Sequence, residues 1–192
     1  MSLFEVRIHG RGGQGVVSAA EMLSVAVFTE GNHAQAIPSF GSERMGAPVQ
    51  SFVRFSDVDI RTREPVIEPD CLIIQDVTLL SHDSTFAGLK EGGYVLLNST
   101  HTIEELGIAD KLKNIPAEHL MVVNATGIAR EHIGMPIPNA ALIGGFSAIT
   151  GQLKIESIEE AIHKKFAGAV ADGNVAAARE AYNEVLKAKG LN

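Results

Sequence analysis

The chain has a single cysteine, no tryptophan and only two tyrosines among its 192 residues. One cysteine excludes an internal disulfide. It also excludes an iron–sulfur cluster held by this chain, because such a cluster takes about four thiolates. Cys71 stands in the apolar run "DCLIIQD", where a buried, inert thiol is the expectation. Positive charge is scarce as well. Sixteen Lys and Arg against 23 Asp and Glu leave a formal net charge of −7, which argues against a general binder of nucleic acid or membrane surfaces. No run of about 20 apolar residues is present and no charged-then-apolar leader opens the chain, so the cytoplasm is the expected compartment. The seven histidines form no H-x-x-x-H or Cys–His spacing, and no metal site is expected from them. G-x-S-x-G is missing, and no nucleophile stands at readable spacing from a base. The sequence therefore holds no complete active site of its own.

What it does hold is glycine, in a particular place. The stretch "IHGRGGQG" at 8–15 puts four glycines and an arginine at the end of an apolar run. Residues 4–9 read as a buried strand. Val16 to about Glu30 reads as a helix, with Val16, Ala19, Ala20, Leu23, Ala26 and Val27 at i, i+3, i+4 spacing and Gly31 at its C-terminal cap. A weaker strand at 33–37 follows, stopped by Pro38. Beyond the polar loop "SFGSERMGAP" (39–48), "VQSFVRF" and "VDIR" flank Ser56-Asp57 as an expected antiparallel hairpin over about 49–62. Short apolar strands recur at 71–76, 94–98 and 120–124, separated by helix-sized segments. Helices are expected at about 139–150, 157–167 and 174–188, with Gly168 to Asn174 as a joint before the last. The expected fold is α/β: three layers, α/β/α, around a mainly parallel Rossmann-like sheet, with a β-hairpin insertion and a helical C-terminal third. The length suits one domain, 1–192, with the helices of about 139–192 packed on it.

Gly10, Gly12 and Gly15 fit G-x-G-x-x-G after a strand and at the opening of a helix, where backbone N–H groups and the helix dipole favour an anion. The plainer reading is a tight turn with close helix packing. A dinucleotide site calls for Asp or Glu about 20 residues on to hold the ribose, and "AQAIPSF" has neither. Gly-Lys-Ser/Thr is also missing, which excludes a Walker loop. A different phosphorylated ligand, or a partner's backbone, remains. In the second segment Ser42, Glu43, Arg44, Met45 and Gly46 form a polar turn. Arg44 there is either a two-pronged clamp for a phosphate or carboxylate or half of an ordinary surface pair. Asp76, "NATGIA" (124–129) and "PNAALIGG" (138–145) fall at strand ends, where open α/β sheets bind ligands. Asn139 reads as a helix cap. His9, beside the loop, reads as a structural histidine rather than a ligand contact.

Taken together, "IHGRGGQGVVSAAEML", "AQAIPSFGSERMGAPVQSFVRFSD" and "EPDCLIIQDVTLL" resemble, in order, the gamma subunit of the 2-oxoacid:ferredoxin oxidoreductases, nearest to the pyruvate (pyruvate synthase) type. "NAALIGGFSAITG" and the helical tail extend the resemblance along the chain, while Met45 stands where the family often carries arginine. The resemblance implies a multi-subunit enzyme that cleaves a 2-oxoacid to CO2 and an acyl-CoA, inactive as this chain alone. Its thiamine diphosphate, Mg and 4Fe-4S clusters would lie on partner subunits of alpha, beta and delta type, with ferredoxin or flavodoxin as electron acceptor. This chain would cover the active site and share in binding coenzyme A, through Gly10, Arg11, Gly12, Gly13, Gln14 and Gly15. Residues 42–46 would meet the ligand or a neighbouring subunit, and the loop 39–48 would be a contact or lid segment. 2-Oxoisovalerate and 2-oxoglutarate remain alternative substrates, and a free-standing nucleotide- or CoA-binding module the rival reading.

Overall fold

The structure is a computed structural model, which describes residues 3–38 and 45–191. Six strands form one sheet in the order β2-β3-β1-β4-β5-β6: β1 (Phe4–Arg11), β2 (His33–Pro38), β3 (Pro48–Ser56), β4 (Cys71–Ile74), β5 (Tyr94–Asn98) and β6 (Leu120–Val123). β1, β4, β5 and β6 pair in parallel, while β3 runs antiparallel to both β1 and β2. The α/β fold with a mainly parallel sheet is as expected from the sequence.

The hairpin over 49–62 is not formed. β3 has the predicted composition but pairs with its neighbours on either side, and residues 58–61 are not a strand. A two-residue hairpin needs positive φ at its turn. Ser56-Asp57 supplies none, since every described residue with positive φ is a glycine. β3 also slots between β1 and β2, so the strand–loop–helix–strand unit yields strands that point the same way without touching.

Alternation along the strands then divides the interior. Val6 and Ile8 of β1, Ile73 of β4 and Leu96 of β5 face one side. There they meet five helices: α1 (Val16–Thr29), α2 (Ala125–Ile133), α3 (Asn139–Thr150), α4 (Ile155–Lys165) and α5 (Gly168–Ala188). Leu72, Ile74, Val95 and Leu97 face the other side and pack on Leu80, Ile108 and Leu112. The segments after β4 and β5, expected to be helices, contain only short 3-10 turns such as Val77–Ser81 and Ala109–Leu112. α5 starts at Gly168, so the expected joint is helix. Asn174 is buried there, its Nδ2 donating to the Val170 carbonyl at 2.8 Å.

Irregular chain against a sheet face needs partners for its carbonyls, and two buried arginines supply them. Arg54 donates to the Glu64 and Pro65 carbonyls and forms an ion pair with Glu5 at 2.7 Å. Arg7 donates to the Thr85 and Ala87 carbonyls at 3.2 and 2.6 Å. Its Nε donates to His9 Nε2 at 3.0 Å, so His9 is a structural histidine. Cys71 is fully buried, and burial pushes its thiol far above the ordinary range, which makes it inert.

Candidate functional site

The glycine loop lies at the C-terminal end of β1, where two of its glycines have positive φ: Gly13 at 97° and Gly15 at 76°. Gly15 is the N-terminal cap of α1. No side chain caps that helix start and no acidic residue sits in its first turn. The first helical bond at this end runs from the Ala19 N–H to the Gly15 carbonyl at 2.9 Å, which leaves the N–H groups of Val16, Val17 and Ser18 without intrahelical partners. They open onto a recess of about 330 Å³ whose lining includes Arg11, Gly12, Gly13, Gly15, Val17 and Ser18. An uncapped helix start facing a recess lined in part by three glycines and an arginine suits an anion.

The loop is braced from three directions. Gln14 accepts from the Arg11 N–H at 2.8 Å and donates from Nε2 to Asp76 Oδ2 at 2.7 Å. Arg11 donates from Nε and Nη2 to Thr78 Oγ1 and from Nη1 to the Gly46 carbonyl at 3.0 Å. The Gly12 and Ala47 backbones join at 2.9 Å. Burial pushes the Asp76 carboxyl upward, but hydrogen bonds from Thr78 and Gln14, with Arg11 nearby, outweigh it and hold the group below the usual carboxylate range. Arg11 is thus a strut as well as a charge, its Nε 3.6 Å from Asp76.

The six loop residues Gly10 to Gly15 are brought together as expected. Ser42, Glu43 and Arg44, with Phe40, lie outside the described residues. Met45 and Gly46 return the chain to the loop: Met45 is 87% exposed overall, yet its Sδ stands where a Cβ on Gly13 would come within 3.1 Å. Asn139 does not cap its helix from the preceding position. It is the first residue of α3, Pro138 being the cap, and its buried amide reaches back toward the Gly15 carbonyl. Gly15 accepts no side chain because a Cβ there would lie 2.5 Å from Asn139 Nδ2.

Above the ends of β4, β5 and β6 lies a second crevice of about 500 Å³. Asp76 and residues of 124–129, which the sequence marks, line it beside Gln75 and Asn98, whose one signal in the sequence is position at a strand end. Among the described residues no group of three His, Cys, Asp or Glu is placed to hold a metal. No described helix is long and apolar enough to cross a membrane.

The profile of the family described as "Pyruvate ferredoxin/flavodoxin oxidoreductase" matches residues 5–184, from β1 into α5. The chain belongs to this family. It is 46% identical to the pyruvate/ketoisovalerate oxidoreductases common subunit gamma of Thermococcus kodakarensis over 96% of this chain and 98% of the relative. It is 43% identical to pyruvate synthase subunit PorC of Methanocaldococcus jannaschii over 98% of this chain and 100% of the relative. Among solved structures, pyruvate oxidoreductase subunit PORC of Thermotoga maritima superposes with a TM-score of 0.81 at 36% identity, covering 95% of this chain and 97% of that one. This gamma-type chain is accordingly a subunit of an oxidoreductase, and the glycine loop and its braces sit inside the matched span.

Proposed function

We propose that this chain is the gamma-type subunit of a cytoplasmic, pyruvate-type 2-oxoacid:ferredoxin oxidoreductase, and that its glycine loop holds a phosphate-bearing part of coenzyme A. The whole chain, 1–192, acts as one domain that covers the active site. Thiamine diphosphate, Mg and the 4Fe-4S clusters belong to alpha, beta and delta type subunits in this reading, and ferredoxin or flavodoxin takes the electrons. The observation that carries the coenzyme A assignment is the uncapped start of α1, opening onto a recess whose lining includes Arg11, Gly12, Gly13 and Gly15. An anion placed there gains about 0.3–1 kcal/mol from the dipole when exposed and up to about 2 when partly buried. Coenzyme A is rich in phosphate and needs no acidic clamp on its ribose, in keeping with a second strand that ends without a carboxylate.

The test is Gly13→Val in the assembled enzyme. A β-branched residue is strained at a φ of 97°, and its Cβ crowds the Met45 Sδ at the mouth of the recess. We expect the KM for coenzyme A to rise about tenfold, equivalent to about 1.4 kcal/mol, with the KM for the 2-oxoacid unchanged. Arg11→Ala removes charge and a strut together and gives a smaller rise in the same constant. Unaltered coenzyme A dependence in a fully assembled Gly13→Val enzyme would remove the phosphate role. Impaired assembly of Arg11→Ala without a coenzyme A effect would assign Arg11 to a neighbouring subunit.

A further inference from the structure

At the opposite edge of the sheet from the glycine loop lies a cavity of about 550 Å³. The loop follows the end of β1, whereas this cavity opens at Tyr94, the first residue of the parallel strand β5. It shares no lining residue with the glycine-loop recess or with the crevice above β4–β6. Both tyrosines of the chain, Tyr94 and Tyr182, line it. Each supplies an apolar body with a polar tip, and the buried Leu153 and half-buried Leu186 extend the apolar wall.

The polar groups around this wall sort by whether they have partners. Lys189 donates to the Ala148 and Ile149 carbonyls at 3.4 and 3.0 Å, so its charge is matched by the C-terminal end of α3. Glu30 accepts from the backbone N–H of Lys154 at 2.7 Å, at the start of α4. The His119 ring is stacked on Tyr94 with centroids 4.0 Å apart, and its Nδ1 lies 2.7 Å from the Gly92 carbonyl. A carbonyl only accepts, so in the neutral ring the proton sits on Nδ1 and Nε2 presents a lone pair. Two charges are left over. The Glu118 carboxylate and the Lys154 ammonium are exposed, line the same cavity, and have no partner among the described residues, each other included.

We infer that this cavity binds a free α-amino acid with an apolar side chain. The ligand's ammonium meets Glu118 and the His119 Nε2, its carboxylate meets Lys154, and its side chain lies against Tyr182 and Leu186. An ammonium brings three donors and a carboxylate only acceptors, so a zwitterion complements both unpartnered charges at once. A ligand with one charge leaves the other side chain unanswered. The volume lies within the range of small-molecule sites. This site stands independently of the coenzyme A assignment.

The experiment is a calorimetric titration of the full chain with L-phenylalanine and L-leucine. Each is compared with the amine and the acid that keep its side chain but only one charge: phenethylamine and hydrocinnamate for the first, isoamylamine and isocaproate for the second. We expect saturable binding of at least one amino acid with a Kd of about 1 mM or tighter, and of its two analogues about tenfold or more weaker. Lys154→Met brings the affinity for that amino acid down to that of its amine, and Glu118→Gln brings it down to that of its acid. Both side chains are exposed and unpaired, so neither change lowers the melting temperature. The site falls if neither amino acid binds saturably, or if either analogue binds as tightly as its amino acid. It also falls if Lys154→Met or Glu118→Gln binds like the parent. Should a variant fail to fold, the analogue series on the parent chain decides the matter without it.

Discussion

Gly144→Ala is expected to destabilise the protein by about 3 kcal/mol or more, lowering the melting temperature by roughly 6–12 °C for a chain of this size. Gly144 lies in α3, whose residues 139–149 are all buried. A Cβ added there would fall 2.0 Å from the Ala178 carbonyl oxygen of α5 and 2.6 Å from its carbon. Those atoms are backbone, so no rotamer relieves the clash and the two helices must separate. The control is one residue away. A Cβ at Gly145 meets Leu96 Cδ2 at 3.4 Å and Val185 Cγ2 at 3.6 Å, ordinary contacts with side chains that can adjust. Gly145→Ala therefore stays within about 1 kcal/mol of the parent, on the stabilising side, since alanine is the better helix former. Thermal unfolding of the two variants checks this directly, and equal melting temperatures would show that the α3–α5 approach is not close.

Acid should begin to destabilise the protein before its carboxylates titrate. His9 is buried beside Arg7, and burial first, with the neighbouring guanidinium second, pushes its pKa down to about 3. In the unfolded chain the same imidazole takes up a proton near pH 6.5. Between those values the unfolded state binds more protons, so falling pH favours it. Stability is fully present above about pH 6.5 and drains toward pH 3, by up to about 1.4 kcal/mol per pH unit. Urea unfolding at pH 7.5, 6 and 5 measures the slope. His9→Gln keeps an acceptor for the Arg7 Nε and removes the titration, so its stability should be nearly flat over that interval. If His9→Gln retains the parent's slope, the sensitivity lies elsewhere. Asp76 adds a second loss at lower pH: its carboxyl is held below the usual range, so that contribution is present above the unfolded value and disappears as pH falls through the folded one.

The glycine loop and the helix behind it were legible because each rests on local chemistry. A glycine run after an apolar strand, followed by an apolar stripe at helical spacing, carries its own geometry, and α1 spans Val16–Thr29 as that stripe requires. Cys71 was legible for the same reason, an apolar run enclosing a small apolar side chain. β3 was half legible. Its residues alternate like a strand, but nothing near Ser56-Asp57 encodes that its partners are β1 and β2, both of which precede it in the chain. Arg7 and Arg54 could not be placed from sequence, because charged residues on a strand ordinarily mark its solvent face. Here that face is covered by irregular chain whose carbonyls the guanidinium groups satisfy.

By itself the sequence determined that the single cysteine closes no internal disulfide, that a glycine loop joins the first strand to the first helix, and which oxidoreductase family its motifs resemble. The tertiary structure alone decided that Gln14 and Arg11 brace that loop against Asp76 and Thr78, and that Asn139 of α3 is seated against Gly15. It alone placed an unpaired Gln75 amide at the foot of a second crevice. The physical reason is the range of the interactions. Strand alternation, helix periodicity and glycine conformations act over a few residues and are written in order along the chain. The bracing of Arg11 by Thr78 spans 67 positions and the approach of Asn139 to Gly15 spans 124, and only the packing of five helices on one face of a mixed sheet brings those residues together.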